Sequence, residues 1–495
     1  MRRPLSIPST ALATLLAALA LLPLLGHKPL TDWDEAIYAE VSREMLRGSW
    51  LVPHWNYQLW LEKPLLMLWI TAAFFKLFGV TEFWSRAASA LSGVAIVGLL
   101  HRRLVRSRDT LAAWLSTVIL LATFGFIHAC HTGEMDVLLS LGCVIALIGL
   151  AQIDEAGPDG WWLFWIGFAA AAMTKGAAAV VLPVTAIVFA AIQRWRSDRL
   201  RAPFYLGLAL FLALVLPWHL AMFHLFDGQF LNQYFGFHVL ARATHQIEGH
   251  TTPWWFYCKV LLVSAPPFSI LYPFALVEGL RHPKLRAWAA FSLVVISFYT
   301  AVQTRLPQYV VPAYPALSVL SAAWLADRLR AMLAARRPAS YWFKLGLAVS
   351  AVAFVSVWFT TPARKSLHSA TLADGTALPD NKDSIALLRN ASRRPLPLVT
   401  GPLLLWRSGR ISSIATDVFY SRRQVQQVEL TLPPPGTPTD PYTFNPQLLS
   451  EAVTTQPRLI LLDRRLLPSL PTGFTYTPIE SYGTMELGTI THRSP

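Results

Sequence analysis

The sequence is poor in charged residues, since Asp, Glu, Lys and Arg make up 14% of its 495 residues. About 25% is usual for soluble domains. Hydrophobic residues make up 54%, and they recur in apolar runs of roughly 16 to 23 residues, which is enough to cross a bilayer as a helix. The shortage of charge argues against an ordinary soluble domain. The sequence therefore predicts an all-α polytopic membrane protein.

Cysteine is also scarce, and the three cysteines are Cys130, Cys143 and Cys258. They form no Cys-X-X-Cys or Cys/His zinc pattern, so we interpret them as small apolar residues in helices. A Cys130–Cys258 disulfide is compatible with the predicted topology but not indicated. The sequence also lacks a glycine-rich nucleotide-phosphate loop and a readable Ser-His-Asp arrangement. These absences exclude the commonest nucleotide-binding and hydrolase signatures.

The formal net charge is +14, but this does not indicate nucleic-acid binding. The basic residues form short clusters between apolar runs, as expected from the positive-inside rule and anionic lipid headgroups. We therefore expect every cluster to be cytoplasmic, together with the N-terminus. The clusters are Arg102/Arg103/Arg106/Arg108, Arg194/Arg196/Arg199/Arg201, Arg281/Lys284/Arg286 and Arg328/Arg330/Arg336/Arg337.

Placing these clusters on one side predicts about eleven membrane spans. The N-terminal apolar run is interpreted as an uncleaved signal-anchor helix. The short run 65–79 contains Lys76 and is interpreted as an interfacial helix; the alternative is that it spans and another segment does not. The predicted spans are about 11–25, 84–101, 109–129, 135–152, 161–173, 177–193, 203–225, 257–279, 287–303, 307–326 and 342–361.

The composition changes after about residue 361, where polar residues and prolines increase. Short strand-like runs occur at 396–400 and 459–462. We therefore predict a membrane domain at 1–361 and a small extracytoplasmic α/β domain at 362–495. Within the first domain, 28–83 is the predicted first outer loop, with interfacial helices, and 226–256 is a long outer loop.

Carboxylates gather in the loops predicted to lie outside the membrane. Asp34, Glu35 and Tyr38 begin a segment with helical spacing, which Thr31 or Asp32 could cap. Acids in a first turn also favour the helix dipole, so a purely structural role is the competing interpretation. Glu134 and Asp136 lie at another outer turn. Carboxylates on one membrane face suit general-base work on a hydroxyl or orientation of a sugar.

Cations in the same outer loops are candidates for binding a substrate phosphate. Lys63 offers a point charge, although snorkelling to headgroups is its alternative role. Arg242 and Arg305 offer planar donors, and Tyr309 offers a hydroxyl. Lys175 is interpreted as marking a tight turn between two short apolar helices.

A divalent metal site is a weaker expectation. Glu62 and His238 could share a metal ion, but scattered histidines are weak support for one. The sequence therefore requires no cofactor.

Several motifs together resemble the GT-C glycosyltransferases. The resemblance is strongest to the bacterial lipid A 4-amino-4-deoxy-L-arabinose transferases, which are related to protein O-mannosyltransferases, and it runs from residue 1 to about 360. The early block is long and specific, whereas the later motifs are short. The motifs are Asp34-Glu-Ala-Ile-Tyr-Ala-Glu40, Arg43-Glu-Met45, Trp50-Leu-Val-Pro-His54, Glu62-Lys-Pro64, Thr174-Lys-Gly176 and Leu306-Pro-Gln-Tyr309.

The resemblance implies an inverting glycosyltransferase in the bacterial inner membrane with a periplasmic active site. The implied donor is a sugar on undecaprenyl phosphate, and the implied acceptor is a lipid or a protein. By position, Asp34 and Asp136 match catalytic-loop acids, and Tyr38 lines the same pocket. The resemblance implies that Lys63, Arg242 and Tyr309 contact the donor phosphate. It also implies that Glu62 contacts a metal ion, with His238 as its partner.

Two departures from the family pattern leave the acceptor open. The chain has Arg305-Leu-Pro307 where the family usually has Lys-Leu-Pro, and Lys63-Pro-Leu65 where it often has Lys-Pro-Pro. Neither departure removes a proposed catalytic group. A protein O-mannosyltransferase and a flippase for a lipid-linked sugar stay as alternatives, although no inverted repeat is seen.

Overall fold

The computed structural model describes residues 7–31, 33–195, 199–241, 253–335, 382–391, 402–406, 415–429, 447–453 and 456–492. These residues divide into two compact units. The helical unit comprises the described parts of Met1–Leu25, Leu61–Ala73 and Phe83–Ser369. The sheet unit comprises those of Gly26–Trp60, Phe74–Glu82 and Ala370–Pro495. Much of the predicted first loop thus clusters with residues near the C-terminus, while the predicted domain limits 1–361 and 362–495 stay a prediction.

Helices dominate the described residues up to position 335. In chain order they are α1 (Ile7–Leu21), α2 (Asp34–Met45), α3 (Leu66–Phe78), α4 (Glu82–Ser107), α5 (Thr110–Leu121), α6 (Phe124–Cys130), α7 (Asp136–Ala156), α8 (Gly160–Lys175), α9 (Val181–Gln193), α10 (Ala202–Phe230), α11 (Phe256–Ser264), α12 (Tyr272–Arg281), α13 (Arg286–Ala301) and α14 (Ala313–Ala334). Short 3₁₀ turns lie at Gly176–Val180, Phe268–Leu271, Pro283–Leu285 and Pro307–Val310, and a π-helical stretch covers Leu231–Ala241.

Four helical stretches among the described residues are long and apolar enough to cross a membrane, namely Glu82–Ser107, Asp136–Ala156, Gly160–Gln193 and Ala202–Gly236. The pair α5 and α6 would make a fifth, although the two helices are bent by 69° where they meet. Helix α3 is shorter, with 13 residues. The predicted span 342–361 lies outside the described residues, and the total of about eleven crossings stays a prediction.

The stretch Gly160–Gln193 folds back on itself. Trp161 near its start and Trp195 just beyond its end have ring centroids 6.1 Å apart. A straight helix would separate them by roughly 50 Å at 1.5 Å per residue. The reversal occurs at Gly176, whose φ of 52° is readily adopted by glycine. The predicted hairpin with its turn at Thr174-Lys175-Gly176 is therefore confirmed.

Helix α10 also reverses near its C-terminal end, at Asp227, where φ is 34° and ψ is −115°. As a result, the ring of His219 lies 5.6 Å from that of Tyr234. The chain that leaves α10 thus returns along the same helix and starts the predicted long outer loop.

Two predicted spans are interrupted, which corrects their assignment as continuous helices. Segment 257–279 is divided into α11 and α12 at Pro266 and Pro267, because proline lacks the N–H that a continuous helix needs. Segment 109–129 is divided into α5 and α6 between Leu121 and Phe124.

Helices α7 and α8 form an antiparallel hairpin that brings their backbones unusually close. A Cβ atom placed on Gly149 would lie 2.5 Å from the backbone nitrogen of Phe164, and one on Gly142 would lie 2.7 Å from the carbonyl oxygen of Gly167. Small residues allow such close approach, which is a common device in membrane helix packing. The hairpin therefore holds the start of α7 and the end of α8 side by side.

The basic clusters lie at the opposite end of the α7–α8 hairpin, away from the start of α7 and the end of α8. Arg103 pairs with Glu155 at 2.6 Å, close to the end of α7. The neighbouring Asp154 accepts hydrogen bonds from Gln193 and from Trp195 just beyond α9. Gln193 in turn accepts one from Arg286 at the start of α13. Described residues of the basic clusters therefore lie together at one end of the helical unit, as the charge pattern predicted.

The C-terminal part of the sheet unit is built on a mixed six-stranded sheet. Its strands are β3 (Leu403–Trp406), β4 (Val425–Glu429), β5 (Gln447–Leu448), β6 (Arg458–Asp463), β7 (Phe474–Tyr482) and β8 (Met485–His492), in the order β5-β4-β3-β6-β8-β7. The first four are parallel, and β8 pairs antiparallel with β6 and β7. Helices α15 (Lys382–Ala391), α16 (Ala415–Ser421) and α17 (Leu449–Ala452) accompany it.

This sheet has its own apolar core, in which Leu404, Ile460, Leu462 and Ile490 are buried. The predicted α/β character is thus confirmed in the described residues, and the strand predicted at 459–462 is β6. The strand predicted at 396–400 lies outside them. A two-stranded hairpin, β1 (His54–Trp55) and β2 (Gln58–Leu59), also belongs to the sheet unit.

Candidate functional site

The centre of the candidate site in the helical unit is a buried ion pair. The Lys175 ammonium group lies 2.7 Å and 2.8 Å from the two carboxylate oxygens of Asp136. The side chains of Asp136 and Lys175 are only 3% and 15% exposed. Asp136 is the first residue of α7 and Lys175 the last of α8, so the glycine-packed hairpin brings them together.

Two tyrosine rings lie beside this ion pair. Lys175 Nζ lies 5.3 Å from the centroid of the Tyr309 ring, a distance at which a cation is attracted to the ring face. Tyr309 lies in the 3₁₀ turn Pro307–Val310, and its ring is 5.1 Å from that of Tyr299 on α13. Arg305, just before this turn, donates to the carbonyl oxygen of Thr300 at 2.8 Å. The predicted Asp136 and Tyr309 therefore share one environment, and Lys175 links them.

The segment carrying Glu62 and Lys63 lies next to the turn at Gly176, which directly follows Lys175. A Cβ atom on Gly176 would lie 2.1 Å from the Tyr234 hydroxyl and 3.6 Å from Pro64. The backbone N–H of Leu61 also donates to the Gln233 side chain at 3.3 Å. The sequence motifs Glu62-Lys63-Pro64 and Thr174-Lys175-Gly176 are therefore neighbours in the helical unit. Glu62 and Lys63 are both half-buried.

Asp34 belongs to the sheet unit, where it is the first residue of α2. Its side chain is half-buried, and it makes no hydrogen bond or ion pair to another residue that the structure describes. Every other residue of α2 is buried. Asp34 thus presents an uncommitted carboxylate at the start of an otherwise buried helix, whereas Asp136 is committed to Lys175.

The predicted cap of this helix is wrong. The N-cap position is Trp33, with φ of 79° and no side-chain cap bond, rather than Thr31; Asp32 lies outside the described residues. Glu35 instead reaches back, and its carboxylate accepts hydrogen bonds from the backbone N–H of Thr31 at 2.6 Å and from its hydroxyl at 2.8 Å. This contact fixes the chain just before the helix, so Glu35 has an observed structural role.

The remaining predicted residues are placed as follows. Tyr38 is buried, and its ring lies 6.2 Å from that of Trp60 within the sheet unit. Glu134 is half-buried in the helical unit, where its backbone carbonyl accepts a hydrogen bond from Ser89 at 2.7 Å. Arg242 and the side chain of His238 lie outside the described residues.

The described part of the chain does not support the predicted divalent metal site. That part contains no group of three or more His, Cys, Asp or Glu side chains placed to hold a metal ion. Cysteines do not supply a ligand set, since Cys130 and Cys143 are buried, Cys258 is exposed, and all three are free. A metal ion shared by Glu62 and His238 stays a prediction.

Sequence reasoning missed the importance of Lys175, which it treated as a turn marker. The available signal was a single lysine between two apolar helices, because a charge in such a position needs a partner. Asp136, the first residue of α7, is that partner.

Comparisons with known proteins agree with the motifs. Residues 62–220 match the family model described as dolichyl-phosphate-mannose-protein mannosyltransferase. The chain is 29% identical over 332 residues to the undecaprenyl phosphate-alpha-4-amino-4-deoxy-L-arabinose arabinosyl transferase of Serratia proteamaculans, covering 65% of this chain and 60% of that protein. The protein of the same name from Pseudomonas paraeruginosa is 31% identical, covering 67% of this chain and 62% of that protein.

Solved structures show the fold. The crystal structure of ArnT from Cupriavidus metallidurans bound to undecaprenyl phosphate matches with a TM-score of 0.74 at 19% identity, covering 98% of each chain. An archaeal oligosaccharyltransferase from Archaeoglobus fulgidus matches with a TM-score of 0.53 at 13% identity, covering 84% of this chain and 62% of that one. By sequence, the chain spans about 60% of the length of the curated relatives that it matches. The comparisons confirm that the chain resembles the GT-C glycosyltransferases, and among them the 4-amino-4-deoxy-L-arabinose transferases, and that it has their polytopic membrane fold.

Proposed function

We propose that the protein is an inverting glycosyltransferase that moves a sugar from undecaprenyl phosphate to an envelope acceptor at the periplasmic face of the inner membrane. Lipid A is the first acceptor to test, and 4-amino-4-deoxy-L-arabinose is the first sugar, because the relatives at about 30% identity carry that name. The observation that carries the proposal is the polar group Asp136, Lys175 and Tyr309 at the ends of apolar helices, in which Asp136 is buried and Lys175 and Tyr309 are half-buried.

The position of this group suits a substrate that is half lipid and half polar. It lies at the end of α7 opposite the basic clusters, and 21 helical residues separate the two ends by roughly 31 Å. That distance is about the thickness of the hydrocarbon core. If the basic end is cytoplasmic, the site faces the periplasm.

The chain offers cationic and hydroxyl donors for the leaving phosphate. As the glycosidic phosphate bond breaks, negative charge develops on the polyprenyl phosphate, and fixed donors lower the free energy of that transition state. We assign this role to Lys63, Arg242, Arg305 and the hydroxyl of Tyr309. Lys175 is engaged by Asp136, so its role is to hold Asp136 and the Tyr309 ring in place.

The uncommitted carboxylate of Asp34 is assigned to the acceptor. If the acceptor is a hydroxyl, Asp34 removes its proton while the oxygen attacks the anomeric carbon. If the acceptor is a phosphate of lipid A, no proton needs removal, and Asp34 orients the acceptor and the sugar. Either route is a single displacement and predicts inversion at the anomeric carbon.

The test is sugar transfer by purified protein from undecaprenyl-phospho-4-amino-4-deoxy-L-arabinose to lipid A in detergent micelles. Asp34→Asn should lower kcat by about two orders of magnitude, a loss expected whether Asp34 orients the acceptor or removes its proton. Asp159→Asn is the matched control, because Asp159 is exposed and directly precedes the first residue of α8. Wild-type turnover by Asp34→Asn would refute the role of Asp34, and no transfer by the wild type would refute this donor and acceptor pair.

A protein hydroxyl acceptor is the second candidate function, favoured by the family model that matches residues 62–220. Mass spectrometry of envelope lipids and envelope proteins from cells with and without the protein separates the two. Loss of a sugar mass from lipid A favours the first function, and loss from proteins favours the second. Transfer of the lipid-linked sugar across vesicle membranes, with no new glycosidic bond, would instead indicate a flippase.

A further inference from the structure

Helix α2, which carries Asp34, is too short to hold its own conformation. It has 12 residues, and isolated helices of that length are marginal in water. It also buries charge, because Glu40 is 0% exposed and Arg43 is 6% exposed. Arg43 donates to both carboxylate oxygens of Glu40. The conformation of α2 must therefore be set by the structure packed around it.

The chain just after α2 is tied to strand β4 by an asparagine. The side-chain nitrogen of Asn56 donates to the carbonyl oxygen of Val425 at 3.0 Å, and its side-chain oxygen accepts from the backbone N–H of Val425 at 2.8 Å. Val425 stands opposite Leu403 of β3, but the backbone N–H of Leu403 donates to the carbonyl oxygen of Gln424. The N–H and C=O groups of Val425 itself therefore face away from β3. The amide of Asn56 therefore bonds to the side of β4 that faces away from β3, at one residue, as a paired strand would.

The next residue extends this attachment to α2. Tyr57 donates its backbone N–H to both carboxylate oxygens of Glu44 at 3.1 Å. Its hydroxyl donates to the carbonyl oxygen of Arg422 at 3.0 Å. Asn56 and Tyr57 have φ of 52° and 62° in a two-residue hairpin turn, which is the backbone of a type I′ turn.

The chain just before α2 is tied to the same stretch. The backbone N–H of Leu30 donates to the Tyr420 hydroxyl at 2.9 Å, and that hydroxyl donates to Glu82 at 3.2 Å. Arg389 also pairs with Glu82 at 3.0 Å. Both flanks of α2 are thus held by residues 420–425, which lie 369 to 390 positions later in the sequence.

We propose that residues 415–429 are a positioning element for Asp34: Tyr420 and Val425 hold the two flanks of α2, and so fix where its first carboxylate lies. The inference rests on the proposed function, since it concerns the residue assigned to the acceptor. Misplacing a catalytic group by about 1 Å can cost two orders of magnitude in rate. The C-terminal residues would then contribute to catalysis without touching the substrate.

Two variants test this element without removing its backbone. Tyr420→Phe deletes the hydroxyl that bridges Leu30 and Glu82. Asn56→Gly deletes the amide but keeps a residue that readily adopts φ of 52°. Each should lower kcat for sugar transfer about tenfold or more, while the binding affinity for undecaprenyl phosphate alone stays within twofold. Tyr476→Phe is the control, because its hydroxyl donates within the sheet, to Glu486 at 3.2 Å.

The decisive measurement repeats Tyr420→Phe and Asn56→Gly in an Asp34→Asn background. If they act through Asp34, they should cost little further activity there, because residues acting as one unit are strongly non-additive. An equal loss in both backgrounds, or no loss in the wild-type background, overturns the positioning role. Wild-type turnover by Asp34→Asn alone would instead overturn the proposed function, so the two failures are distinguishable.

Discussion

Removing the positive charge from the buried pair Asp136–Lys175 should destabilise the helical unit strongly. Lys175→Met keeps most of the apolar stem, so little cavity forms, but it removes a paired positive charge from a carboxylate that is 3% exposed. Breaking a buried ion pair by removing one partner costs about 3–5 kcal/mol. We expect a loss of that size in the free energy of unfolding.

The second half of the experiment removes the other charge as well. Replacing a buried pair by neutral residues of similar size is often neutral or stabilising. The double variant Lys175→Met/Asp136→Asn should therefore be more stable than Lys175→Met alone by about 2 kcal/mol or more. A matched control is Arg281→Met, whose side chain is 72% exposed and 3.8 Å from Glu278. Such a surface pair contributes at most about 1 kcal/mol.

The assay is denaturant-driven unfolding in detergent micelles, followed by tryptophan fluorescence. Two results would refute the reasoning. One is Lys175→Met unfolding within 0.5 kcal/mol of the wild type, roughly the scatter of neutral surface substitutions. The other is a double variant whose loss equals the sum of the two single losses, because independent sites add.

Three further predictions concern other parts of the chain. Burial, and next the charge of a neighbouring glutamate, raise the pKa of Glu44 to about 8, so the folded state keeps a proton that the unfolded state releases near pH 4.3. Stability should therefore fall as pH rises from about 4.3 to 8, by at most about 1.4 kcal/mol per pH unit, and Glu44→Gln should flatten this slope in pH-dependent unfolding curves. A slope unchanged in that variant would contradict the assignment. Gly149→Ala should destabilise the α7–α8 hairpin by about 1–3 kcal/mol, because its Cβ would meet backbone atoms of α8; Gly228→Ala, which meets nothing within 4 Å, is the control in the same unfolding assay. Tyr309→Phe keeps the ring beside the ammonium group but loses the hydroxyl, so it should weaken binding of undecaprenyl phosphate several-fold with little change in stability; unchanged binding by titration would remove the hydroxyl from the donor site.

Local signals in the sequence predicted much of the helical unit. The hairpin turn at Gly176 was predictable because apolar runs on both sides flank a lysine and a glycine. The break at Pro266 was not predicted, although proline is a visible signal for a helix break. The reversal at Asp227, in contrast, lies where the predicted span 203–225 ends.

The site was predictable in part for the same reason. Asp136 and Tyr309 stand out because polar residues at the ends of apolar helices need a function or a partner. The pairing of Asp136 with Lys175 could not be predicted, because 39 residues separate them and the close packing of α7 on α8 decides the distance. The attachment of Asn56 to Val425 spans 369 residues and is equally invisible.

By itself, the sequence determined that the chain is a helical membrane protein with its clusters of basic residues at one end, because apolar length and charge placement are local properties. It also determined which family the chain resembles, through motifs that survive at about 30% identity. Only the tertiary structure decided which charges are paired and which carboxylate is uncommitted. Those properties depend on distances between residues far apart in the chain, and packing alone sets such distances.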